Sequence, residues 1–219
     1  MHNLNYTLLF ATTLLLIAPH LPATELPFYN DASFTPEWID TTSPESNEPP
    51  TIHTIPPFSF QNQYRENFTQ ADLQGNIYVA NFFFTTCPGI CTKMTNNLKT
   101  VHEAFKADPS VVLLSHSVTP EYDTPQRLHD YAEKHGILGP NWQFLTGDKE
   151  EIYTIARQSY FADETIGLTQ DSNTFLHSEK LILIDGQGHI RGVYNGVMTV
   201  DMKRLTQDIH TLKAEVATY

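Results

Sequence analysis

The feature that most constrains the fold is a near-continuous apolar run, Val111 to Val118 (VVLLSHSV). A strand with one wet face would alternate apolar and polar residues. This run does not, so it reads as a strand buried on both faces of a parallel sheet. A second such run, Ile77 to Phe84, precedes it after a turn at Gly75-Asn76. Between the two runs, Met94, Leu98, Val101 and Phe105 recur at helical spacing and stop before Pro109. The pattern is an amphipathic helix that joins two buried strands.

The rest of the chain extends this unit. Asp123-Thr124-Pro125 supplies an N-cap and a first-turn proline, and Leu128, Tyr131 and Ala132 continue a helix that Gly136 stops. Trp142 to Leu145 reads as a third strand. Asp148 with Glu151 forms a capping-box pattern ahead of Ile152, Ile155 and Ala156. Phe161 to Asn173 has no periodicity and reads as a long surface loop. Leu181 to Asp185 and His189 to Tyr194 flank Gly186-Gln187-Gly188 as a hairpin, and Leu205, Ile209, Leu212 and Val216 mark a last helix. This order predicts an α/β domain with a thioredoxin-like fold, a central mixed sheet flanked by helices. In such a sheet the functional crevice lies beyond the carboxyl ends of the parallel strands.

Both cysteines of the 219-residue chain fall at that end, Cys87 and Cys91 in TTCPGICTKM, where the first strand gives way to the helix. Unpaired N–H groups and the positive end of the helix dipole favour thiolates there, so both sulfurs are expected to be reactive with depressed pKa values. Four residues apart, they sit one helical turn from each other. That spacing suits a shared metal ion, and it also allows a redox-active disulfide if the turn relaxes. A purely stabilising bridge is the plainer alternative, but closing so short a loop constrains the unfolded chain weakly. Met94 and His102 read as core or surface residues rather than ligands, and His116 as a buried histidine with its hydrogen bonds satisfied.

A net charge of −12 without a basic patch argues against nucleic acid as a partner. Apolar content of 40% and charged content of 17% describe a folded chain. Residues 1–23 hold a short apolar block, Tyr6 to Ala18, followed by small residues at Ala18 and Ala23. This is the pattern of a signal peptide or an N-terminal anchor, although no Lys or Arg precedes it. The expected location is outside the cytoplasm, in the periplasm or on the outer face of the cytoplasmic membrane, with the protein membrane-proximal if the anchor is retained. Residues 24–50, rich in Pro and Thr, read as a linker or docked arm, and residues 51–219 as the folded domain.

The segments FFFTTCPGICTKM, SHSVTPEYDTPQRLHDYA, NWQFLTGD, FLHSEKLILID and IRGVYNG together resemble the Sco/SenC family of copper-binding, thioredoxin-like assembly factors of cytochrome c oxidase. The resemblance implies that Cys87, Cys91 and His177 are copper ligands. It implies a metallochaperone serving the binuclear copper centre, with the copper-bearing oxidase subunit and a dithiol reductant protein as partners. Two departures stand out: Thr92 where the family often has Pro, and Thr119 where it often has Asp. Independently of the family, two thiolates and one imidazole suit Cu(I), and the imidazole lets the set hold Cu(II). Three readings stay open: non-enzymatic copper delivery, thiol-disulfide oxidoreduction of the subunit's cysteines through Cys87 and Cys91, and copper or redox sensing. A peroxidase is disfavoured, since Phe84 occupies the threonine position of that motif, and so is a general dithiol reductase, since Cys-x-x-Cys is absent.

Overall fold

The computed structural model describes residues 25–39, 51–137, 139–163 and 176–216. The apolar block Tyr6 to Ala18, the linker beyond residue 39 and most of the loop placed between Phe161 and Asn173 lie outside the described residues. Among the described residues no helix is long and apolar enough to cross a membrane.

The elements are β1 (Ser59–Asn62), β2 (Asn67–Thr69), a 3-10 turn (Gln70–Leu73), β3 (Ile77–Phe83), α1 (Ile90–Phe105), β4 (Val111–Ser117), α2 (Pro125–Lys134), β5 (Trp142–Thr146), α3 (Lys149–Thr154), β6 (Lys180–Ile184), β7 (Ile190–Asn195) and α4 (Thr199–Val216). The described strands form one mixed sheet in the order β2-β1-β5-β4-β3-β6-β7. The β3–β4 and β4–β5 pairs are parallel, while β6 runs antiparallel to β3 and β7 antiparallel to β6. Every residue of β3, β4 and β5 is buried, which is why apolar residues on both faces dominate them.

Each face of the sheet carries its own core. On one face Met94, Leu98, Val101 and Phe105 of α1 meet Leu128, Tyr131 and Ala132 of α2 and Leu205, Ile209 and Leu212 of α4. On the other face Leu73, Ile152, Ala156 and Tyr160 pack on Tyr78, Phe82, Leu114 and Ile182. Thr124 caps α2, its hydroxyl accepting from the Arg127 N–H, with Pro125 in the first turn. Gly136 ends this helix at φ +64. Asp148 caps α3 by accepting from the Glu151 N–H. That helix does not run on regularly through Ile155 and Ala156; Ile155–Ser159 is a π-helical turn, a feature that accumulates at functional sites.

Residues 25–39 lie against the far edge of the sheet. Phe28 bridges to Glu37, and the Tyr29 N–H donates to the Ile190 carbonyl of β7 at 3.0 Å. The Arg191 guanidinium holds this segment: it donates to the Leu26 and Pro27 carbonyls, pairs with Asp185 and Glu215, and lies 4.2 Å from the Phe28 ring centroid.

One expectation fails on this framework. His116 was expected to have its hydrogen bonds satisfied, yet neither ring nitrogen has a partner among the described residues. The alternation of β4 aims it, with Leu114 and Val118, into the core that α3 covers. There its ring stacks on Phe82 at 5.1 Å and meets the edges of Phe58 and Phe60. Burial pushes its pKa down to about 3, so the ring is neutral.

Candidate metal centre

The site begins where β3 loses its sheet partners. The Phe83 carbonyl takes the Val118 N–H, the last of the β3–β4 ladder, and the chain then turns through Thr85-Thr86 into Cys87-Pro88-Gly89. Gly89 is the N-cap residue of α1, which starts at Ile90. Pro88 has no N–H to lose, and the first N–H groups of the helix face back toward the turn. The Cys91 N–H donates to the Cys87 Sγ at 3.3 Å, so the two cysteines meet as their spacing predicts. Both are free thiols.

Their environments differ, which corrects the expectation that both sulfurs carry depressed pKa values. Cys87 is half-buried. Burial raises its pKa, but hydrogen bonds from the Cys91 side chain and from the N–H groups of Gly89, Cys91 and Ile90 outweigh it, and the net direction is down. Cys91 points into the core between α1 and the sheet. Burial first, and then the hydrogen bond to Cys87, push it up to about 12. Helical spacing gives both residues the same dipole but not the same solvent. Cys87 is therefore the more readily ionised sulfur, and Cys91 stays a thiol.

His177 is exposed, next to buried Leu176 and three residues ahead of β6. The antiparallel register of β6 on β3, with Ala80 opposite Ile182, carries its segment to the same end of the sheet as the cysteine turn. The Glu179 carbonyl there takes the Gly196 N–H. A Cβ on Gly196 would stand 3.1 Å from Met94, so the connection from β7 to α4 lies tight against the start of α1. The structure thus brings Cys87 and Cys91 together and puts His177 at their end of the sheet. It does not gather the three side chains into one set: among the described residues no group of three or more His, Cys, Asp or Glu is arranged to hold a metal ion. Met94 is a core residue in the cluster that also holds Cys91, and His102 is buried with its Nε2 3.2 Å from Asn141 Oδ1.

In the sequence Asp123 reads only as part of a helix cap. The structure gives the capping to Thr124 and turns Asp123 inward, where it accepts from the N–H and hydroxyl of Thr85, two residues before Cys87. The clue available in the sequence was the cluster of hydroxyls at the strand ends, Thr85, Ser117 and Thr119. Tyr131 looks onto the same region. Burial, and then the charges of Cys91, Cys87 and Asp123, push its phenol up to about 12, offsetting its hydrogen bond with Thr95.

Comparison with known proteins agrees with this architecture. The SCO1 protein homolog of Bacillus subtilis is 31% identical over 162 residues, covering 73% of this chain and 83% of that protein. A solved structure described as revealing a disulfide switch in BsSco, a member of the Sco family of cytochrome c oxidase assembly proteins, is 30% identical. It superposes with a TM-score of 0.63 over 75% of this chain and 96% of that one. The ScoI of Arabidopsis thaliana, solved with copper bound, is 28% identical with a TM-score of 0.56, over 75% of this chain and 98% of that one. These neighbours make the fold thioredoxin-like. With a family model for SCO1/SenC matching residues 46–214, well over half its length, the chain belongs to the SCO1/SenC family.

Proposed function

We propose that the protein is a copper metallochaperone that holds its metal through Cys87, Cys91 and His177. It assists assembly of the binuclear copper centre in the copper-bearing subunit of cytochrome c oxidase. The observation that carries this reading is the paired sulfurs at a strand-to-helix turn, with the Cys91 N–H on the Cys87 Sγ, at the sheet end that His177 shares. Two sulfurs fit soft Cu(I), and an added imidazole accommodates Cu(II). A structural zinc site would call for a fourth protein ligand. The chemistry of the donors therefore fits copper, and the copper-bound ScoI relative supports the same cargo. Binding brings His177 from its exposed position to the sulfurs. The apolar block at Tyr6 to Ala18 supports a site of action outside the cytoplasm, with the domain held near the membrane if the block is retained.

A second reading is favoured by the unequal thiols. A Cys87 thiolate attacks a disulfide of the oxidase subunit, forms a mixed disulfide and releases one partner thiolate. Cys91, losing its proton as it attacks Cys87, then releases the second. Two electrons and the Cys91 proton pass to the partner, which leaves as one thiolate and one thiol, and a dithiol reductant protein restores Cys87 and Cys91. Both readings share the sulfurs and differ in His177. Exchange does not use the imidazole, so oxidase assembly in a strain carrying His177→Ala separates them. Copper delivery predicts a loss as deep as that of Cys87→Ala. Assembly that survives His177→Ala and fails only with the cysteine variants would make the protein a reductase.

A further inference from the structure

We propose that Asp123 is the positioning residue of the cysteine turn. Its carboxylate is fully buried, and four hydrogen bonds reach it from two strand ends. From the exit of β3, the Thr85 hydroxyl donates to Oδ1 at 2.5 Å and the Thr85 N–H to Oδ2 at 3.1 Å. From the exit of β4, the Ser117 hydroxyl donates to Oδ2 at 2.6 Å and the Thr119 hydroxyl at 3.0 Å. Ser117 in turn takes the Thr119 N–H, and the Asp123 N–H returns to the Thr119 carbonyl at 2.9 Å.

A buried carboxylate is costly unless its lone pairs are filled, and here neutral donors fill them. What they fix is the segment that has just left the sheet. Beyond Phe83 no ladder holds the chain until α1 begins at Ile90. In that gap Thr85 is tied through both backbone and side chain to a carboxylate outside the turn. The Cys87 sulfur is met by the Cys91 N–H at 3.3 Å, so the tie at Thr85 sets how well the turn holds that contact. Capping of α2 does not need Asp123, since Thr124 supplies it. This role rests on the reading of Cys87 and Cys91 as a working dithiol.

The experiment is the equilibrium of the metal-free dithiol with a glutathione redox buffer, followed by thiol counting. Wild type must first titrate reversibly between dithiol and disulfide; if it does not, the dithiol reading itself fails. Thr85→Val removes the hydroxyl while leaving the charge of Asp123 in place, and Thr85→Ser retains the hydroxyl. Losing the tie loosens the turn that holds the reduced Cys87 sulfur against the Cys91 N–H, and so favours the disulfide. Thr85→Val is expected to shift the equilibrium constant toward disulfide about tenfold, about 30 mV for this two-electron couple, and Thr85→Ser to match wild type. Asp123→Asn, where it folds, is expected to shift it in the same direction. A merely structural role would lower the melting temperature and leave the potential where it was. A folded Thr85→Val protein with the wild-type potential overturns the proposal.

Discussion

His116→Leu should stabilise this protein, and more so in acid. In the native state the imidazole is fully buried among Phe58, Phe60, Phe82 and Tyr160, with neither nitrogen bonded among the described residues. An unpartnered buried polar group costs about 1–3 kcal/mol. A leucine of similar size keeps the apolar contacts without that cost, so the gain at pH 7.5 should be of that order. The acid term adds to it. Burial takes the histidine from its ordinary 6.5 to about 3. Above pH 6.5 the ring is neutral in folded and unfolded chains alike and titration contributes nothing. Below 6.5 the unfolded chain binds a proton that the native chain refuses, so stability falls until about pH 3. Between pH 6.5 and 5 this amounts to about 2 kcal/mol at ~1.4 kcal/mol per pH unit. Urea unfolding of both proteins from pH 8 to pH 5 measures it. Carboxylate contributions are common to the two and cancel in the difference. The curves should diverge below pH 6.5, with the variant always the more stable. Parallel curves, or a variant less stable at pH 7.5, would refute the account of this side chain.

Arg191→Ala should destabilise by about 3–5 kcal/mol in urea unfolding, because it leaves the Asp185 and Glu215 carboxylates without their buried cation and frees the carbonyls of Leu26 and Pro27. Gly186→Ala should lower the melting temperature, since a Cβ there would stand 2.8 Å from the backbone of Gly75, whose N–H donates to the Gly186 carbonyl. Peptide mapping after brief alkylation of the reduced protein at pH 7.5 should find Cys87 modified well before Cys91. The lowered pKa of Cys87 leaves thiolate at that pH, whereas Cys91, pushed up to about 12, stays a thiol; equal rates would contradict the asymmetry.

The central strands were legible because burial on both faces writes itself into sequence as near-continuous apolar runs, at Ile77–Phe83 and Val111–Ser117. The stripe of α1 and the β6–β7 hairpin at Asp185 to His189 followed from periodicity and glycine placement. The β1–β2 hairpin did not. Its strands are four and three residues long, too short to show a period. Its turn rests on Asn62, whose side-chain oxygen accepts the N–H groups of Tyr64 and Glu66, and on its pairing with distant β5. At the site, spacing placed the sulfurs together but could not say that Cys91 turns into the core, because burial is a property of packing. Nor could the chain order reveal that Asp123, 38 residues after Thr85, reaches back to it.

The central claim is a copper ion held by Cys87, Cys91 and His177, and X-ray absorption at the copper edge tests it most directly. The protein is reduced, loaded anaerobically with one equivalent of Cu(I), and compared with His177→Ala in both copper oxidation states. The account predicts two sulfur neighbours and one imidazole nitrogen in the wild type, loss of the imidazole signal in the variant, and no stable Cu(II) form without it. A wild-type spectrum with sulfur alone, or one that His177→Ala leaves unchanged, would contradict it.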